Sequence, residues 1–165
     1  MVRSCNFHVR ALHHIRRHLM REVANTVACS IVGTQIDYCN SLFYSASEKH
    51  LDKLQCLQNK LTHVVTNTDL RDYHSVDLPL QLYWLRIQSQ ISFKVATLCR
   101  RALNDEQPTY LASKLIPYRP TRSLLSSDWE LLQEPPCRTK TVSRRFSCSA
   151  PRVWNSILWT LRDAN

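Results

Sequence analysis

The side chains of this 165-residue chain best suited to bind a metal or move a proton are its seven histidines, seven cysteines and eight aspartates. Cys5 and His8 have two residues between them, and His14 and His18 are four positions apart, both zinc-like spacings. A zinc finger pairs two such couples across a turn, and no CxxC or CxxxC occurs anywhere in the chain. Arg16 and Arg17 also stand between His14 and His18, and fixed cations disfavour a metal ion. The histidines therefore read as solvated or phosphate-facing, and no metal or other cofactor is expected. The aspartates lie at 37, 52, 69, 72, 77, 105, 128 and 163, no two adjacent. Two-metal phosphoryl chemistry needs ions about 3.5–4 Å apart held by positioned carboxylates, and no such set is readable. Cys39, in Asp37-Tyr38-Cys39-Asn40, falls on the apolar side of a helical wheel and predicts a packed thiol. Ser147 and Ser149 precede Pro151 with no histidine nearby in sequence and read as helix caps. No catalytic residue is assigned, and no small-molecule substrate is expected.

What remains is positive charge. Lysine and arginine number 22 against 13 acids, a net charge of +9, and the count along the chain gives 16 arginines. Arginine favours planar, bidentate contact with phosphate or carboxylate, which fits a polyanionic partner. Three groups stand out. Lys49, Lys53 and Lys60 fall within roughly 40° of one another on one helical wheel. Arg16, Arg17 and Arg21 follow a His- and Arg-rich stretch with no acid before Glu22. Arg138, Lys140, Arg144, Arg145 and Arg152 cluster near the C-terminus. All eleven are candidate nucleic-acid contacts through phosphate. The plain alternative is a solvated basic face balanced by Glu22, Glu48 and Asp52.

These side chains must be carried mostly on helices. Gly33 is the only glycine, where average usage of about 7% would give roughly 11 or 12. Phosphate loops and tight hairpins depend on glycine, so a Rossmann or Walker site is excluded. Periodicity predicts a short amphipathic helix over 7–18, with Val9, Leu12, Ile15 and Leu19 inward. A second runs from Arg21 into the forties with Val27, Ile31, Tyr38, Cys39 and Leu42 on one side. Ser47 and Glu48 open a third, with Leu51, Leu54, Leu57, Leu61, Val64 and Val65 as its stripe. A linker over 67–80 leads to a helix bearing Ile87, Ile91, Val95, Leu98 and Ala102. Beyond Pro108 the chain is rich in Pro and Arg and predicts irregular backbone with one edge strand. A last helix starts at Ala150-Pro151 and runs through Val153, Trp154, Ile157, Leu158 and Leu161, with Trp159 off that stripe, and Trp84 and Trp154 read as core anchors. The expected fold is mainly α: a helical bundle over 1–66, a linker and long helix over 67–107, and a basic tail with a terminal helix over 108–165. Seven cysteines without paired spacing predict reduced thiols, and no apolar run reaches the roughly 18 residues of a membrane span. An intracellular protein of the cytoplasm or nucleus, with no membrane partner, is expected.

Several strings occur together in order: Leu12 to Leu19 with Arg16-Arg17, DYCNSL at 37–42, LDKLQCLQNKLTHVVT at 51–66, LYWLRIQSQISFKVATL at 82–98, PTYL at 108–111 and RRFSCSAPRVWNSI at 144–157. Their succession resembles the region after the polymerase core in non-LTR, LINE-type reverse transcriptases of the jockey-like and related retrotransposons. The resemblance implies a thumb-like helical unit in the first third and the basic post-polymerase tail in the rest. It implies no chemistry of its own, because the family's paired aspartates in a Tyr-x-Asp-Asp turn have no counterpart in this chain. Relatives commonly carry Pro at the position of Leu158 and continue past Arg162, so the chain is expected to be a fragment of a longer polymerase. The implied partners are RNA or an RNA–DNA hybrid, and an upstream polymerase domain. The alternatives are a small helical interaction module, or a relic of a mobile element without a nucleic-acid role.

Overall fold

The computed structural model describes residues 2–68, 82–120 and 131–158. The fold is mainly α, and among the described residues β structure is limited to one antiparallel bridge, Pro117 with Leu132. Contacts divide the chain into two compact units, Met1–Asn40 with Ser47–Gln90 and Ser41–Ala46 with Ile91–Asn165. This division differs from three consecutive segments, because residues 41–46 belong with the second half of the chain. The linker expected over 67–80 falls almost wholly outside the described residues, as do Trp159 and Leu161.

In the first unit, α1 (Val2–Ile15) begins a turn and a half before the expected start and buries Cys5, Val9 and Leu12. Ile15 remains half exposed, because a tight turn, Arg16–His18, ends the helix there. After it come α2 (Arg21–Ala28), a wide π turn (Cys29–Gly33) and α3 (Thr34–Asp37). The buried face is Ala24, Ala28, Val32 and Ile36, not the expected Val27, Ile31, Tyr38, Cys39 and Leu42. Residues four apart drift by about 40° per turn on an α-helix. The π turn, with more residues per turn, takes up that drift and keeps all four inward. Hydroxyls of Thr26, Ser30 and Thr34 donate back to the carbonyls of Glu22, Val27 and Ser30 along this stretch, a pattern that loosens and bends helices. The helix then stops: Tyr38 is extended and Cys39 is left-handed at φ 55°, which leaves Cys39 and Tyr38 exposed.

Gly33 itself is helical, at φ −57°. A Cβ there would meet Ala28 O at 3.8 Å and Cys29 Cβ at 3.9 Å, both ordinary contacts. Gly33→Ala is therefore expected to stabilise the unit by about 0.5–1 kcal/mol, from reduced freedom of the unfolded chain. A urea midpoint that falls instead would show that the π turn needs glycine.

Helix α4 (Glu48–Thr66) packs against α1 and α2, with small Ala24 and Ala28 on the α2 side, and buries Leu54, Leu57, Leu61 and Val65 as expected. Ser47 is its N-cap residue, with its hydroxyl turned to His50 Nδ1. Gln58, Thr62 and His63 are buried as well. The glutamines have a use: Gln58 donates to Leu85 O at 2.8 Å, and Gln55 Oε1 accepts the Ile87 N–H at 3.0 Å. Gln55 thereby takes up a free backbone N–H in the first turn of α5 (Ile87–Asn104).

In the second unit, Val95, Cys99 and Ala102 of α5 form a core with Leu115, Leu132, Ala150, Val153 and Trp154. Short helices α6 (Thr109–Ala112) and α7 (Lys140–Ser143) punctuate the Pro/Arg-rich stretch. The expected edge strand reduces to the Pro117–Leu132 bridge, with Tyr118 N–H donating to Leu131 O and Gln133 N–H to Ile116 O, both 2.8 Å. The last helix, α8, spans Phe146–Ser156 with Arg145 as its N-cap residue, so Pro151 and Ser149 lie inside it and neither Ser149 nor Ser147, its second residue, is the cap. An interior proline costs about 3 kcal/mol or more. Burial of Cys148, Ala150 and Pro151 itself, with Phe146 packed on the core, favours the longer helix despite it. From the far end of α8, Asn155 accepts the Leu132 N–H at 3.0 Å and donates to Leu132 O at 2.9 Å. One side-chain amide thus satisfies both backbone groups of a buried residue in the extended segment.

Candidate nucleic-acid interface

Helix α4 carries Lys49, Lys53 and Lys60, all exposed, over 12 residues or about 16 Å of its axis. Glu48 and Asp52, also exposed, are rotated by roughly 60–140° from them on the same helix. Glu48 and Asp52 thus lie to one side of the lysine edge rather than within it. Two of the candidate arginines before α4 are placed very differently although adjacent in sequence. Arg17 is exposed, and its Nε donates to His18 Nε2 at 3.1 Å. Arg16 is half-buried and donates to Val64 O at 3.1 Å, to Val65 O at 3.0 and 2.8 Å, and to Leu19 O at 2.6 Å.

The reason is the end of α4. Asn67 is left-handed (φ 57°, ψ 38°), the Asn67 N–H donates to Val64 O, and the Thr68 N–H donates to His63 O. This is a Schellman ending with Asn in the place usually held by Gly. It leaves the Val65 carbonyl unmet, and the Arg16 guanidinium covers it and a second lone pair of Val64. A cation at a helix C-terminus is also favoured by the helix dipole. Arg16 is therefore a cap within the fold, and its donors are not directed to a ligand. Arg21 is exposed at the start of α2.

In the second unit, Arg138, Arg144 and Arg145 are exposed. Arg144 Nε approaches Ser45 O at 3.4 Å, and Arg145 is the N-cap residue of α8. Arg152 is 3.7 Å from Glu134, a partly exposed pair of the kind that contributes little stability. Lys140 opens α7, and its side chain lies outside those described. The two basic groups thus belong to separate units, Lys49, Lys53 and Lys60 to the first and the C-terminal arginines to the second.

Sequence reading missed a groove in the first unit. Val9, Arg10, His13 and His14 of α1 face Lys60, His63, Val64, Asn67 and Thr68 across about 510 Å³, and no carboxylate is among these residues. Arg10 and the two histidines are visible in the sequence only as part of a basic stretch; their partners are 50 residues away in the chain. His63 is buried, and its ring Nδ1 is 3.1 Å from Thr68 Oγ1, which fixes its orientation.

Other chemistry is not assembled. Among the described residues no group of three His, Cys, Asp or Glu is placed to hold a metal ion. His18 sits in the tight turn rather than on α1, so the spacing from His14 is not one turn of a helix. All seven cysteines are free: Cys5, Cys99 and Cys148 are buried, while Cys29, Cys39 and Cys56 are exposed. The packed thiol expected at Cys39 is overturned by its place after the end of α3. Burial pushes the Cys99 thiol up to about 12, and a hydrogen bond to Cys148 raises Cys137, so neither is an activated nucleophile. No helix among the described residues is long and apolar enough to cross a membrane. The chain matches no known family model, no curated protein and no solved structure.

Proposed function

We propose that this chain is the non-catalytic thumb and post-polymerase part of a LINE-type reverse transcriptase, and that it grips template RNA or an RNA–DNA hybrid through phosphate contacts. The observation that carries the binding half is the exposed edge of Lys49, Lys53 and Lys60 on a well-packed helix, with Glu48 and Asp52 to one side of it. The ordered sequence strings carry the family half. Binding is electrostatic and indifferent to base sequence, and polymerisation belongs to carboxylates elsewhere in a longer protein. In filter-binding titrations at several ionic strengths, affinity falls steeply with salt. Changing Lys49, Lys53 and Lys60 together to Gln lowers the log–log salt slope by roughly 2–3, about 0.7–0.9 for each phosphate no longer neutralised. A flat salt response, or an unchanged slope in the triple variant, would sink the proposal. Primer extension with added Mg²⁺ is expected to give no product.

A second reading, a protein-interaction module, is favoured by exposed apolar side chains: Tyr83 is 96% exposed, Tyr38 76% and Leu42 69%. It predicts weak RNA binding that the lysine changes do not alter.

A further inference from the structure

We propose that the groove between α1 and the C-terminal half of α4 holds one nucleotide of a single strand, with its phosphate between Arg10 and Lys60 and its base over Val9 and Val64. The assignment deepens the nucleic-acid reading and rests on it for the source of the ligand. The groove's volume, about 510 Å³, lies within the roughly 300–1,000 Å³ of small-ligand pockets. Its walls are mixed in the way a nucleotide requires. Arg10 and Lys60 are exposed and come from opposite helices, so an anion between them meets a cation on each side. Val9 is buried and Val64 half-buried, an apolar floor for a ring. The His13 and His14 rings, their centroids 6.3 Å apart, offer faces for stacking, and the exposed Asn67 amide offers both a donor and an acceptor to a base edge. The opposing effect is the pair of helix C-termini nearby, each equivalent to roughly half a negative charge. Arg16 lies on the carbonyls of one of them, and Arg10 and Lys60 add two full positive charges a turn or more back from the ends. The balance favours an anion.

The test is calorimetric titration of the whole chain with adenosine and uridine 5′-monophosphates, inorganic phosphate and adenosine. The mononucleotides should bind at least roughly tenfold more tightly than phosphate or adenosine, because phosphate and ring contribute together. Arg10→Gln, an exposed position whose folding is checked by circular dichroism, should weaken mononucleotide binding by about tenfold. Lys49→Gln with Lys53→Gln should leave it unchanged while weakening long RNA. Phosphate binding as tightly as the mononucleotides, an acidic peptide displacing them at lower concentration, or Arg10→Gln without effect would each overturn the proposal. If long RNA binds and mononucleotides do not, the groove assignment alone fails. If mononucleotides bind and long RNA does not, the broader reading fails.

Discussion

Replacing Trp154 by alanine is expected to destabilise the second unit by about 3–5 kcal/mol, the cost of removing a buried aromatic from a packed core. Trp154 is 3% exposed and contributes to a cluster drawn from α5, α8 and the two extended pieces at Leu115 and Leu132. Those extended pieces are joined by the Pro117–Leu132 bridge, and their Leu115 and Leu132 pack in the same cluster as the indole. Loss of the ring leaves a void that Ala150 and Ala102 are too small to fill, and the backbone of α8 cannot move in far while Asn155 holds Leu132. Small domains are stable by about 5–15 kcal/mol in all, so much of the margin disappears. In thermal unfolding the midpoint should fall by more than about 10 °C. Trp84, expected as a second anchor, is only half-buried, and Trp84→Ala should cost much less. Equal losses for the two tryptophans would show that Trp154 is not the anchor of this core.

The second large effect separates two adjacent arginines. Arg16→Ala should destabilise the first unit by about 2–3 kcal/mol, while Arg17→Ala should stay within about 0.5 kcal/mol. Removing the Arg16 guanidinium strips charge-assisted bonds from Val64, Val65 and Leu19 carbonyls at a part-buried helix end, where water reaches them poorly. Arg17 loses only an exposed hydrogen bond to His18. Arg16→Lys should recover only part of the loss, because an ammonium cannot match a fork set against two carbonyls. Urea denaturation of the three variants decides the matter. Similar midpoints for Arg16→Ala and Arg17→Ala would mean that the cap contributes nothing, and Arg16 would return to the set of solvent-facing cations. RNA binding adds a second measure. At a temperature where all variants are folded, Arg16→Ala should retain the salt slope that the three lysines set.

Gly33, Asn40 and Pro151 show where local pattern stops being a guide. A single glycine marks a point where a helix could break, and the chain instead widens one turn and keeps its helix. Asn40 is buried, and its Nδ2 donates to Asp37 Oδ1 at 3.0 Å while its own Oδ1 has no partner, a cost that no sequence rule foresees. Pro151 predicts a helix start, yet the helix extends a turn and a half before it because its neighbours are buried.

The sequence by itself determined the mainly helical class, through scarce glycine and apolar residues at three- and four-residue intervals. It also determined most of the inward faces of α4 and α5, with Cys99 buried where Leu98 is expected and Leu51 and Val64 only half-buried, and the absence of an adjacent aspartate pair. These are local properties, set by bonds four residues apart and by which side of a helix is apolar. Only the tertiary structure decided that Arg16 caps a helix while Arg17 faces solvent, that Asn155 pairs with Leu132, and that Arg10 and Lys60 share a groove. Each depends on groups 23 to 50 residues apart in the chain meeting at hydrogen-bond or side-chain range, and a charge or amide in a sequence carries no mark of which carbonyl it will meet.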